Sequence, residues 1–81
     1  MRLLLAEDEQ ALSKALKAIL ERNNYSVDAA YDGQEALEYL EADNYDGVIL
    51  DIMMPKVDGI TVLKEIRKKG NLIPVLLLTA K

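Results

Sequence analysis

Cysteine, histidine, tryptophan and phenylalanine are all missing from this 81-residue chain. Without cysteine there is no disulfide scaffold. Without cysteine or histidine there is no thiolate or imidazole zinc site, and no Ser-His-Asp or Cys-His catalysis. Any bound metal must therefore be held by oxygen, which selects Mg²⁺ or a similarly hard cation. Four tyrosines are the only aromatics, too few for a nucleic-acid stacking platform. An excess of positive charge is also lacking: 10 Lys and Arg against 14 Asp and Glu leave a net charge of -4. That balance predicts no direct binding of nucleic acid by this chain. The apolar runs are only a few residues long, so no membrane span is expected. Met1-Arg2-Leu3-Leu4-Leu5-Ala6 is too short for a signal peptide before the acids begin. A reducing, cytoplasmic location is the expectation.

What is present reads as one small globular unit, with 51% hydrophobic and 30% charged residues. Residues 3–6 form a short apolar run, a buried first strand, which ends in Glu7-Asp8-Glu9. Over 10–23, Ala11, Leu12, Ala15, Leu16, Ile19 and Leu20 recur at three- and four-residue spacing, the pattern of an amphipathic helix. Asn23-Asn24 supplies its stop. Residues 25–30 make a second strand, with Asp28 suggesting a sheet edge that has one solvated side. Asp32 and Glu35 have the spacing of a capping box for a helix that turns Ala36, Leu37 and Leu40 inward and ends near Ala42.

A central strand then runs through Gly47-Val48-Ile49-Leu50 to Asp51. A third helix over 60–69, with Leu63 and Ile66 inward, ends in Arg67-Lys68-Lys69 and Gly70. A last buried strand covers 74–78. Strands alternating with helices predict a parallel α/β sheet with helices on both faces.

Asp51 is the residue that needs a reason. A lone carboxylate at the carboxyl end of an apolar strand costs several kcal/mol, roughly, unless solvated, paired or metal-bound. Glu7 and Asp8 follow the first strand, and Thr79 follows the fourth. If strands one and three are neighbours, Glu7, Asp8 and Asp51 meet at the switch point of the sheet. Carboxylates gathered there call for a divalent cation or a proton. Blander readings exist for each residue taken alone: a turn cap for Asp51, an acidic first turn for Glu7-Asp8-Glu9, and a structural hydroxyl for Thr79. For Met53-Met54 the bland reading is packing.

Leu3-Leu4-Leu5-Ala6-Glu7-Asp8-Glu9, Val48-Ile49-Leu50-Asp51-Ile52-Met53-Met54-Pro55 with Asp58-Gly59, and Leu77-Leu78-Thr79-Ala80 together resemble the receiver domain of bacterial two-component response regulators. The resemblance implies a flavodoxin-like (CheY-like), three-layer fold with strand order 2-1-3-4. It implies that Asp51 accepts a phosphoryl group from a sensor histidine kinase. It further implies Mg²⁺ as cofactor, held by Asp8, by Glu7 largely through water, by Asp51 and by the backbone carbonyl of Met53. Thr79 matches the hydroxyl that binds the phosphoryl group and moves on activation.

Members of the family continue with a further helix, a fifth strand ending in a lysine, and a last helix. Residues 1–81 would thus be a receiver incomplete at its carboxyl end, and Lys81 does not match that lysine. Weak Mg²⁺ binding and slow or undetectable phosphorylation are the expectation, with any DNA-binding output domain outside this chain. By this resemblance the chain is a phosphoacceptor signalling domain rather than an enzyme. An aspartyl-phosphate phosphohydrolase is disfavoured, because Met53 stands where its second aspartate would be. An assembly module is the other class, with self-association as a homodimer or domain swap through the fourth strand and uncovered apolar faces.

Overall fold

The computed structural model describes residues 1–78. Along them run β1 (Arg2–Ala6), α1 (Gln10–Arg22), β2 (Ser26–Ala30), α2 (Gly33–Ala42), β3 (Gly47–Asp51), α3 (Gly59–Lys68) and β4 (Val75–Leu78). The strands form one parallel sheet in the order β2-β1-β3-β4. This is the flavodoxin-like arrangement that the resemblance implied, and the element ends agree with the sequence pattern to within a residue.

Strand alternation sorts the apolar residues onto two faces. The register sets Leu4 beside Val48 and Ala6 beside Leu50. These four pack with Ala36 and Leu40 of α2 and with Val62 and Ile66 of α3 to form the main core. In α3 the fully buried position is Val62, whereas Leu63, expected inward, only flanks the core. On the opposite face Leu5 is completely buried, and α1 lies against β2 and β1.

That placement corrects two expectations. Ile19, expected inward, is 54% exposed, and Ser13 is the buried residue of α1. The apolar stripe of α1 is wider than the part of the sheet it covers. Leu76, expected buried, is 60% exposed. It belongs to the outer strand and points away from Val75 and Leu77, which pack on the core. Asp28 does lie on an edge strand, but it is paired rather than simply solvated. Its carboxylate meets Arg2 at 2.9 Å and accepts the Tyr45 hydroxyl at 2.7 Å.

The helix ends follow local chemistry. Asp32 Oδ1 accepts the Glu35 N–H at 2.8 Å, capping α2. Glu35 reaches back one residue further than a capping box requires, to the N–H of Tyr31 at 2.9 Å. After α1, Asn24 N–H bonds Glu21 O and Tyr25 N–H bonds Leu20 O, with Asn24 at φ 69. Gly70 and Asn71 repeat this pairing after α3, with Gly70 at φ 82. Both are Schellman ends, which tolerate asparagine or glycine in the left-handed region.

Asp58 Oδ1 caps α3 through the N–H of Thr61 at 2.7 Å, and that bond holds its carboxyl below the ordinary carboxylate value. Its stabilising contribution is therefore complete above pH of about 4 and fades as pH falls through the lowered value. Asp58→Ala is expected to lower the melting temperature more at pH 7 than at pH 2. Thermal melts at both pH values check this. An equal loss at both would contradict it.

Candidate functional site

β1 and β3 deliver their carboxyl ends side by side, because Ala6 is in register with Leu50. The next residue of each strand bears a carboxylate: Glu7 just past β1, and Asp51 closing β3. Glu7 extends the ladder by one step, its N–H donating to Ala30 O at 3.0 Å. Its side chain is fully buried, and Oε2 accepts the N–H of Glu9 at 2.9 Å. Asp51 is 2% exposed, and its Oδ1 accepts the N–H of Met53 at 3.2 Å. Asp8 is the member of the group that solvent reaches. Carboxylate oxygens of Glu7, Asp8 and Asp51 all lie within 4.8 Å of one another.

Three carboxylates at this spacing, two of them buried, repel one another strongly unless a positive charge or a proton stands among them. The donor set consists of oxygen atoms with one side open to water, which fits a hard divalent cation such as Mg²⁺. Beside Asp8 a groove of about 770 Å³ opens along Met53, Pro55, Asp58 and Lys64.

The structure thus brings Glu7, Asp8 and Asp51 together, as the sequence suggested. Met53 belongs to the same corner. Its side chain is 72% exposed, and its peptide lies against the Asp51 carboxylate. Thr79 falls outside the described residues. Leu78, the residue before it, is the register partner of Asp51.

Two features escaped sequence reasoning. One is how closely Gly33 and Gly59 approach neighbouring backbone. The only signal for it is that each glycine directly follows an aspartate cap. The other is a polar cluster at the opposite end of the sheet. There Arg2 joins Asp28 and lies 4.8 Å from the Tyr45 ring centre, while its N–H bonds Asp46 Oδ2 at 2.7 Å. Burial, and then the Asp28 carboxylate, push the Tyr45 hydroxyl well above its usual pKa. This cluster ties β1, β2 and the turn before β3 together, far from the carboxylates.

The family model for the response regulator receiver domain matches residues 3–81. The chain belongs to this family. Among receiver-containing relatives, the transcriptional regulatory protein DltR of Streptococcus agalactiae is 49% identical over all 81 residues. The chain spans only 36% of that protein's length. A solved receiver of Francisella response regulator 1452 superposes with a TM-score of 0.96 at 38% identity, covering 98% of this chain and 65% of that one. The response regulator TrrA of Thermotoga maritima, solved in complex with Mg²⁺-BeF, gives 0.93 at 44% identity, with 99% and 70% covered. Among the described residues, no helix of this receiver is long and apolar enough to cross a membrane.

Proposed function

We propose that Asp51 accepts a phosphoryl group from a phosphohistidine of a sensor histidine kinase, in a site completed by Mg²⁺. The convergence of Glu7, Asp8 and Asp51 within 4.8 Å, in a chain of the receiver family, carries this reading. The Mg²⁺-BeF complex of the related TrrA supports it. In the transfer, a carboxylate oxygen of Asp51 forms the new P–O bond as the P–N bond to the donor imidazole breaks. The leaving imidazole keeps the electron pair and takes a proton. Asp8, Asp51 and the Met53 carbonyl would hold Mg²⁺, with Glu7 acting largely through water; the ion supplies charge neutralisation for the phosphoryl oxygens.

The chain's own groups position the acceptor. Met53 N–H restrains the rotation of the Asp51 carboxylate, and Glu9 N–H fixes the Glu7 side chain beside it. Thr79 is the hydroxyl assigned to bind the phosphoryl group and carry the switch. Phosphorylation adds nearly two negative charges, which attract a hydroxyl donor. On this reading the domain promotes its own phosphorylation and dephosphorylation and acts on no other substrate. The name of DltR, a transcriptional regulatory protein, supports relay to an output domain that regulates transcription; that this output binds DNA in the cytoplasm is part of the same proposal. Incubation with Mg²⁺ and acetyl phosphate tests the reading by intact mass, and one phosphoryl adduct on Asp51 is expected.

Self-association of the chain is a second reading, favoured by one feature of β4. It is an outer strand with Leu76 60% exposed, and Leu72 just before it is 82% exposed. Apolar strand edges pair with other chains. Sedimentation velocity is expected to show a dimer that grows with concentration. A folded monomer at the highest attainable concentration contradicts it.

A further inference from the structure

We infer that Gly59 and Gly33 are positioning residues for Asp51, because the helix starts they occupy grip the loop after β3 from two sides. The inference rests on the reading of Glu7, Asp8 and Asp51 as a metal-assisted acceptor site. A Cβ at Gly59 would overlap the backbone carbonyl oxygen of Asp51 and lie 2.9 Å from Ile52 Cα. The N–H of Gly59 also donates to Ile52 O at 2.9 Å. Backbone atoms cannot rotate aside as a flexible side chain does. A methyl group at position 59 must therefore shift the end of β3, and the carboxylate on it, or shift α3.

The second grip comes from α2. A Cβ at Gly33 would overlap the carbonyl oxygen of Val57, and Gly33 N–H points to Pro55 O at 3.4 Å. Pro55 O also accepts the Val57 N–H at 2.8 Å, across Lys56 at φ 67. This is a γ-turn at positive φ, a rare and strained conformation for a residue with a side chain. Such strain persists only where the surroundings over-determine the backbone.

Those surroundings are visible. Asp32, the cap of α2, meets the Lys56 ammonium at 3.5 Å, and Gly33 presses the turn from the same side. The segment from Asp51 to Val57, which includes the Met53 carbonyl, is thus held between the first residues of two helices. Both gaps are too narrow for any side chain. Metal-site geometry depends on such supporting contacts, whose loss typically costs 10- to 100-fold in affinity.

Mn²⁺ binding followed by electron paramagnetic resonance separates positioning from packing. The 81-residue chain is compared with Gly59→Ala, Gly33→Ala, Val62→Ala and Asp51→Asn at a temperature where circular dichroism shows each folded. Both glycine variants are expected to bind Mn²⁺ at least about tenfold more weakly. Val62→Ala removes fully buried packing from α3 and should stay within about twofold of wild type. Wild-type affinity in both glycine variants overturns the inference, as does an equal loss in Val62→Ala. If only one glycine variant folds, it decides by the same tenfold criterion. If neither folds while Val62→Ala does, the glycines serve folding alone and the inference is also overturned. Failure of the wild type to bind Mn²⁺, or undiminished binding by Asp51→Asn, would instead remove the metal-site reading beneath it.

Discussion

Asp51→Asn is expected to abolish the phosphoryl adduct that the wild-type chain acquires from acetyl phosphate and Mg²⁺. The amide keeps the shape of the carboxylate and the contact with Met53 N–H, but it loses the negative charge and most of the nucleophilicity. Removing the nucleophile of a group-transfer site costs roughly a thousandfold or more in rate, which takes a slow reaction below detection. Glu7→Gln and Asp8→Asn leave the nucleophile in place and should slow adduct formation without changing its position. Intact mass over time, with peptide mapping of the modified residue, reads all three variants. Adduct formation by Asp51→Asn at the wild-type rate would rule out Asp51 as the acceptor. Adduct on Asp51 at equal rates with and without Mg²⁺ would leave the acceptor standing and remove the metal from the reading.

The second large effect is on stability. Leu50 is fully buried in β3, in register with Ala6 on one side and Leu77 on the other, and it joins the core under α2 and α3. Leu50→Ala deletes three buried carbons from a site closed on every side and is expected to cost about 2–5 kcal/mol. Domains of this size have total stabilities of roughly 4–12 kcal/mol, so this one substitution removes much of the margin. Leu76→Ala, in the adjoining strand, is the matched comparison. That side chain is 60% exposed, and the change should stay within about 0.5 kcal/mol. Urea titration checks the pair: the midpoint should fall sharply for Leu50→Ala and barely move for Leu76→Ala, with similar slopes. Similar losses at both positions would mean that the face carrying Leu76 is covered in solution, which would favour self-association.

The contrast between Leu50 and Leu76 also shows how far the sequence could be read. Both sit in apolar runs, and a run of this kind predicts a strand without saying how many helices cover it. Ile19 fails for the same reason. It lies on the apolar stripe of α1, yet α1 lies mainly against β2 and β1, so a residue at the right spacing ends up exposed. The caps behaved differently. Asp32, Asn24 and Gly70 do what their positions in the sequence suggest, because a cap acts within four or five residues of chain.

For the acceptor site the division is similar. The sequence by itself determined the alternation of strands and helices, the helix ends, the exclusion of sulfur and imidazole chemistry, and the placing of Glu7, Asp8 and Asp51 at strand ends. Periodicity and short-range hydrogen bonding suffice for these. Strand order came from family resemblance rather than from any local pattern. Only the tertiary structure decided that Ala6 stands level with Leu50, so that carboxylates 43 to 44 positions apart come within 4.8 Å (51 less 8 and 51 less 7). It also decided that Gly33 and Gly59 touch the backbone of the loop that follows Asp51. Contacts of that kind depend on how separate elements are stacked, and no window of neighbouring residues encodes the distance between two backbones that meet only after folding.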